Sequence, residues 1–79
     1  MRGFRGQLRV LINGEIRDVS ENINLAELIK FLQLAPERVA IELNRSVVRR
    51  NEWAQTALTE DDRIEIVQFV GGGSGKRDD

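Results

Sequence analysis

The sequence predicts an α+β domain, in which a mixed sheet of four to five strands carries one helix on one face. Three observations support this fold class. Segments in both halves of the chain place an apolar residue at every second position, which is the period of a half-buried strand. Between them, one segment changes to the period of an amphipathic helix. With 79 residues, the chain is long enough for one small domain with a single core.

The first two strands are predicted to form a hairpin. In the segment QLRVLIN, apolar residues alternate at Leu8, Val10 and Ile12. The segment EIRDV returns in the opposite direction as the second strand. Between them stands Asn13-Gly14, a pair in which both residues tolerate positive φ, and this favours a two-residue hairpin turn.

The helix is predicted over residues 25–33. Its apolar stripe follows the spacing i, i+3, i+4 and i+7 and consists of Leu25, Leu28, Ile29 and Leu32. Asn24 is the predicted N-cap, because its side chain can accept a hydrogen bond from a free N–H group of the first turn. Glu27 stands three positions later and completes a capping box. Pro36 prevents any continuation, because it lacks a backbone N–H and clashes with the preceding turn.

Three further strands are predicted in the second half of the chain. The segment RVAIELN alternates at Val39, Ile41 and Leu43. Asn44-Arg45 is expected to turn the chain into a short strand over residues 46–49. The segment RIEIVQFV is the last strand.

The segment RNEWAQTALTEDD, between the last two strands, is predicted to be an irregular loop. Trp53, Ala57 and Leu58 are its expected anchors in the core. The acidic residues 60–62 lack the alternating oxygen-ligand spacing of a calcium loop. They are therefore predicted to form a turn before the last strand, and no metal site is expected.

The order β-β-α-β-β-β defines a topology. The first and last strands can lie side by side in the sheet centre, parallel, with the helix in the crossover between them. This is the β-grasp, or ubiquitin-like, arrangement. It divides the chain into a flexible N-terminal arm (residues 1–6), the domain (residues 7–70) and a flexible glycine-rich tail (residues 71–79).

Strand parity sorts the side chains onto the two faces of the sheet. The residues expected to face the helix are Leu8, Val10, Ile12, Ile64 and Ile66. Leu11, Val67 and Phe69 are expected to face the other way and to form an apolar patch. Because contiguous exposed apolar side chains mark a surface that another protein covers, we predict that these three residues bind a partner. The N-terminal arm or a second copy of the chain are the alternative covers.

Composition excludes several classes of function. The 12 basic residues nearly balance the 13 acidic ones, so no general attraction to nucleic acid or to an anionic membrane is expected. The sequence contains neither cysteine nor histidine, so it lacks a thiol nucleophile, the commonest general base and the commonest transition-metal ligand. An enzyme is therefore not expected. The opening MRGFRGQLRV lacks the apolar run of a signal peptide, which predicts a cytoplasmic protein.

The glycine run in FVGGGSGKRDD predicts a segment that reaches into a narrow site. Without a Cβ, glycine passes through a channel that excludes other residues, and it adopts any φ. A nucleotide-binding loop is also glycine-rich, but such a loop leads into a helix, and nothing after Gly73 can form one. The alternative to a reaching segment is a linker to a disordered end.

The stretches VLINGEIRDV, NLAELIKFLQL and VAIELNRSVVRRNEWAQTALTEDDRIEIVQFVGGG, in this order, resemble the sulfur carrier proteins of thiamine biosynthesis, the ThiS family. The resemblance covers residues 8–73. It implies a carrier that binds no cofactor itself and acts as a co-substrate of other enzymes. By the same resemblance Gly73 carries the sulfur as a thiocarboxylate, while Gly71 and Gly72 thread the tail into the partner.

The resemblance also implies the partners. An adenylating enzyme of the ubiquitin-activating kind uses ATP to adenylate the carboxylate of Gly73. A sulfur donor protein then supplies the sulfur of the thiocarboxylate, and thiazole synthase takes that sulfur for thiazole formation. Related β-grasp carriers serve molybdopterin or other sulfur-containing metabolites, and ubiquitin-like modifier or binding domains share the fold; both remain alternatives.

The residues SGKRDD depart from the family pattern, because family members end at the glycines. With Ser74 attached, Gly73 has no free carboxylate and cannot be adenylated. Removal of residues 74–79 by a processing protease is the favoured explanation. An artificial extension and a different function of this paralogue are the other two.

Overall fold

A computed structural model describes residues 6–69 of the chain. Its strands are β1 (Gln7–Ile12), β2 (Glu15–Ser20), β3 (Val39–Leu43), β4 (Ser46–Val48) and β5 (Arg63–Gln68). The helix α1 (Leu25–Phe31) and two 3₁₀ helices (Pro36–Arg38 and Arg50–Gln55) complete the elements. None of these helices is long and apolar enough to cross a membrane. The predicted arm, apart from Gly6, and the predicted tail lie outside the described residues.

The strands form one mixed sheet in the order β2-β1-β5-β3-β4. The central strands β1 and β5 are parallel, with Leu11 opposite Arg63 and Ile12 opposite Ile64. The other neighbouring strands pair antiparallel. Because α1 lies in the connection between the two central strands and packs on one face of the sheet, the predicted β-grasp fold is confirmed.

Both predicted hairpin turns are present. Asn13 and Gly14 have φ values of 51° and 84°, and Asn44 and Arg45 have φ values of 51° and 75°. Two successive residues at positive φ match the right-handed twist of the strands that they join. The turn residues thus fix the register of β1 with β2 and of β3 with β4.

The helix begins at the predicted cap and ends earlier than predicted. Glu27 N–H donates to Asn24 Oδ1 over 2.8 Å, and Asn24 N–H donates to Glu27 Oε1 over 3.1 Å, which is a complete capping box. The prediction of a helix to residue 33 was two residues too long, because α1 ends at Phe31. The reason is Gln33, whose φ of 61° is left-handed, so that Leu34 N–H turns back to the carbonyl of Ile29.

The core lies between α1 and the inner face of the sheet. Its buried residues are Val10, Ile12, Val19, Ile23, Leu25, Leu28, Ile29, Val39, Ile41, Trp53, Leu58 and Ile64. Trp53 is a core anchor as predicted, and its indole N–H donates to the carbonyl of Val48 over 2.9 Å. The prediction for Ala57 was wrong, because its side chain is exposed. The segment is extended there and bridges Asn24, so that Leu58 points inward and Ala57 outward.

Replacing Leu28 by alanine is expected to lower the free energy of unfolding by about 2–5 kcal/mol, because the change leaves a cavity in the core. The Leu28 side chain is 0% exposed. Lys30, exposed on the same helix, provides the matched control. Its replacement by alanine should change the free energy by less than about 0.5 kcal/mol. Urea unfolding, followed by Trp53 fluorescence, measures both, and equal stability of the two variants would place Leu28 outside the core.

Candidate functional site

The candidate site is the end of β5, where the chain enters the glycine segment. Strand β5 occupies the middle of the sheet, and it ends at Gln68. Phe69 N–H still donates over 2.7 Å to the carbonyl of Arg38, the residue before β3, so the backbone pairing continues for one residue more. Gly71, Gly72 and Gly73 lie outside the described residues, and their predicted roles stay predictions. The fold therefore presents the glycine segment from the end of its central strand.

The side chain of Asn13 holds β5 on the side of β1. Asn13 Oδ1 accepts from Ile66 N–H over 2.7 Å, and Asn13 Nδ2 donates to the carbonyl of Ile66 over 3.2 Å. One amide side chain thus satisfies both backbone groups of Ile66. Because β1 itself turns away at Asn13-Gly14, this side chain extends the pairing of β5 by the length of two residues beyond Ile64.

Asn44 holds the beginning of β5 from the side of β3. Its Oδ1 accepts from Arg63 N–H over 2.9 Å, and its Nδ2 donates to Asp62 Oδ1 over 3.0 Å. Asn44 N–H donates to the carbonyl of Arg63 over 2.8 Å. The first residue of each hairpin turn therefore also binds β5 through its side chain. The sequence prediction considered only the positive φ of these residues and missed this role. An asparagine in place of glycine at both positions was the sequence signal that could have revealed it.

The acidic residues before β5 form a turn, as predicted. Asp62 Oδ2 accepts from Thr59 N–H over 2.8 Å, and Glu60 Oε1 accepts from Arg9 N–H over 3.1 Å. Asp61 stands at a φ of 69°. Within residues 6–69, no group of three or more carboxylate, histidine or cysteine side chains is arranged to hold a metal ion. Asp62 thus closes the turn by a local hydrogen bond, and Glu60 binds the turn to β1.

The outer face of the sheet, which points away from α1, does not carry the contiguous patch that strand parity predicted. Val67 and Phe69 are 58% and 55% exposed, whereas Leu11 is half-buried. The register places Leu11 beside Arg63, four residues before Val67 on β5, which corresponds to about 13 Å along the strand. Parity alone could not show this separation, because it leaves the register of the parallel pair open. Partner binding by these residues stays a prediction.

The apolar neighbour of Val67 lies on β3 rather than on β1. Ala40 lies directly opposite Val67 on β3, and Val47 on β4 is 71% exposed. Val47 pairs with Glu42, which lies opposite Glu65, so Val47 is level with a residue before the end of β5. The exposed apolar side chains at the end of β5 are therefore those of Val67, Phe69 and Ala40, while Leu11 pairs with the exposed Ile16 elsewhere on the same face.

A β-grasp sheet whose central strand runs directly into a glycine segment defines the class of ubiquitin-like domains. The comparison with protein families narrows this class. The chain belongs to the ThiS family, whose sequence model matches residues 7–73. The match includes every described strand and helix and the three glycines after Val70.

Relatives and solved structures agree with this assignment. The chain is 41% identical over 66 residues to a thiazole synthase of Magnetococcus marinus, an alignment that covers 84% of this chain and 20% of that protein. It is 26% identical over 66 residues to the sulfur carrier protein ThiS of Escherichia coli K12, covering 84% of this chain and 100% of that protein. A crystal structure of the thiamine biosynthesis protein ThiS from Geobacter metallireducens superimposes with a TM-score of 0.72 at 33% identity, covering 84% of this chain and all of that one. The chain spans about a fifth of the length of the thiazole synthases that it matches.

Replacing Asn13 by glycine tests the role of its side chain in holding β5. Glycine accepts the positive φ of the turn but cannot bind Ile66, so we expect the free energy of unfolding to fall by about 1–2 kcal/mol. Asn22, at a φ of 67°, provides the control, because its side chain takes no part in the hydrogen bonds of the described residues. Its replacement by glycine should be neutral within about 0.5 kcal/mol. Urea unfolding compares the two, and equal effects would contradict a special role of Asn13.

Proposed function

We propose that this protein is a sulfur carrier of thiamine biosynthesis and a co-substrate of other enzymes. The observation that carries the proposal is the family match, which runs without interruption through the folded part and ends at Gly73. The composition supports it, because the sequence holds no cysteine or histidine for nucleophilic or acid–base catalysis. A carrier whose sulfur is bound to a backbone carbonyl carbon needs neither residue.

The proposed chemistry takes place at the carboxylate of Gly73. A carboxylate resists nucleophilic attack because of its negative charge. An adenylating enzyme removes this obstacle: the carboxylate oxygen attacks the α-phosphate of ATP, pyrophosphate leaves, and an acyl adenylate forms. Sulfur that a donor protein delivers at the oxidation level of hydrosulfide (HS⁻) then attacks the carbonyl carbon and displaces AMP, which leaves a thiocarboxylate. Thiazole synthase is the proposed acceptor of that sulfur.

The residues after Gly73 must be separated from it before this chemistry can begin. In this sequence the carbonyl carbon of Gly73 is bonded to the nitrogen of Ser74. An amide carbonyl oxygen is a much weaker nucleophile than a carboxylate oxygen, and adenylation at Gly73 therefore requires hydrolysis of this peptide bond. We assign that step to a processing protease. Residues 74–79 follow every described element, so their removal leaves the core intact.

The thiazole synthases among the relatives support the proposed acceptor. They match this chain over about a fifth of their length, so a segment resembling this carrier stands in the same polypeptide as the remaining four fifths. Covalent linkage of two segments favours a reaction between them, because it raises their effective concentration. This observation favours thiazole formation over molybdopterin synthesis or protein modification as the destination of the sulfur.

The first prediction of this proposal concerns the end of the chain. A version that ends at Gly73 should release pyrophosphate when it is mixed with the adenylating enzyme and ATP, because it offers a free carboxylate. The version that continues to Asp79 should release none unless it has been cleaved. A coupled pyrophosphate assay measures both versions, and mass spectrometry verifies their ends. Equal release by the two versions would contradict adenylation at Gly73.

Gly72→Val in the version that ends at Gly73 should abolish pyrophosphate release, because the added side chain narrows the allowed φ/ψ range and blocks a tight channel. Thermal unfolding of this variant should not change, since residue 72 follows the last described element. Full activity of the variant would show that the glycines do not pass through a narrow channel.

The third prediction concerns the exposed aromatic residue next to the tail. Phe69→Ala should weaken binding to the adenylating enzyme by about 2 kcal/mol, as expected for an aromatic anchor at an interface, without a comparable loss of stability. Phe31→Ala provides the control, because Phe31 is 58% exposed and lies on α1, away from β5. Calorimetric titration measures the affinities. Equal affinities of the two variants would exclude Phe69 from the interface.

A further inference from the structure

Strand β5 loses its neighbour on one side before it ends. The parallel pairing with β1 comprises only Leu11 with Arg63 and Ile12 with Ile64. Beyond them, the Asn13 side chain binds both backbone groups of Ile66, and β1 has turned into its hairpin. The antiparallel pairing with β3, in contrast, continues to the end of the strand, where Gln68 lies opposite Val39.

The backbone groups of Gln68 point to the side that β1 has left. In an antiparallel ladder, residues alternate between those bonded to the neighbour and those directed away from it. Asn44 N–H donates to the carbonyl of Arg63 and Phe69 N–H donates to that of Arg38, which directs the odd-numbered residues toward β3. The N–H and C=O of Gln68 are therefore directed away from β3. Among the described residues no group lies in place to bind them, and we call this position the open edge of β5.

A groove runs beside the open edge on the face of the sheet that carries α1. Its apolar lining consists of Ile12, Leu32, Leu34 and Ile66, and its polar rim consists of Asn13, Glu15, Arg17 and Gln68. Ile12 is buried and the other three apolar residues are half-buried, whereas the rim residues are exposed. An unpaired strand edge beside an apolar groove is the arrangement by which domains bind an extended peptide as an additional strand.

The tail of this chain does not fit the groove. The ten residues that follow Phe69 are VGGGSGKRDD, and after Val70 they contain no apolar side chain that could cover the four lining residues. The described strand ends at Gln68, and the glycine segment begins three residues later, at Gly71. A protein that takes up the glycine segment therefore approaches the chain within a few residues of the open edge.

We propose that the protein that receives the glycine segment also adds an extended strand to the open edge of β5. The strand forms backbone hydrogen bonds with Gln68 and places an apolar side chain against Leu32 and Leu34. The inference rests on the proposed function, because the receiving protein is the adenylating enzyme named there. This strand fixes the direction in which the glycines leave the domain, and it uses a surface different from the one formed by Val67 and Phe69.

Amide hydrogen exchange of the intact protein tests the inference without any substitution. In the free chain, the amide of Ile66 should exchange slowly, because it is bound by Asn13, and the amide of Gln68 should exchange fast. On addition of the adenylating enzyme, the exchange of the Gln68 amide should slow by about tenfold or more. The measurement uses the ¹⁵N-labelled chain that continues to Asp79 and, in parallel, the chain that ends at Gly73.

Substitutions at Gln68 provide the second test. Gln68→Pro removes the N–H of the open edge, whereas no hydrogen bond to β3 is lost, so proline is tolerated as at other strand edges. It should weaken binding by about tenfold, the effect of one lost backbone hydrogen bond. The matched control Gln68→Ala removes the same rim side chain and keeps the N–H, so the proline variant should bind about tenfold more weakly than the alanine variant. Thermal unfolding verifies that both variants fold.

The possible outcomes separate this inference from the proposed function. Slower exchange at Gln68 in the complex, with weaker binding of the proline variant, supports the added strand. A complex that forms and releases pyrophosphate without slower exchange at Gln68 overturns the added strand and leaves the carrier function intact. If neither form of the chain binds the enzyme or is adenylated, both proposals fall.

Discussion

The parallel pairing of β1 with β5 is the interaction on which the rest of the structure depends. It joins residues more than fifty positions apart in sequence, as Leu11 opposite Arg63 shows. Closing so long a loop costs conformational entropy, which the core beneath the sheet must offset. Helix α1 supplies much of that core, because it lies in the crossover and buries Leu25, Leu28 and Ile29 against the sheet. The two hairpins then extend the sheet on either side.

Because the pairing of β1 with β5 is short, the two ends of β5 are held differently. Toward the beginning of β5, Asn44 and the acidic turn bind the strand from both sides. Toward its end, within residues 6–69, β3 alone continues beside it, and the Asn13 side chain is the last group on the side of β1. The chain is therefore best fixed where it enters the sheet centre and least enclosed where it leaves for the glycine segment. The proposed carrier function requires this polarity, since the end that is proposed to react must be accessible while the fold stays intact.

Apart from the parallel adjacency of β1 and β5, which the rules for strand connections predicted, the features predicted correctly are those decided by near neighbours. The turn at Asn13-Gly14 and the capping box of Asn24 with Glu27 depend on residues within three positions of each other, and both are confirmed. The separation of Leu11 from Val67 depends on the register of the parallel pair, which no local pattern specifies. The bonds from Asn13 to Ile66 likewise span 53 positions. In the candidate site, residue types were therefore predictable, but their grouping was not.

The hydrogen bonds of the Asn13 side chain also affect how fast this asparagine deamidates. An asparagine followed by glycine is the sequence in which the glycine nitrogen most readily attacks the side-chain amide carbon, forming a succinimide and releasing ammonia. That attack requires the side chain to rotate away from Ile66, so the two hydrogen bonds at 2.7 and 3.2 Å must break first. The product, aspartate or isoaspartate, no longer donates to the carbonyl of Ile66. The hydrogen bonds between Asn13 and Ile66 therefore slow deamidation of the turn. This protection lasts as long as β5 stays paired beside Asn13.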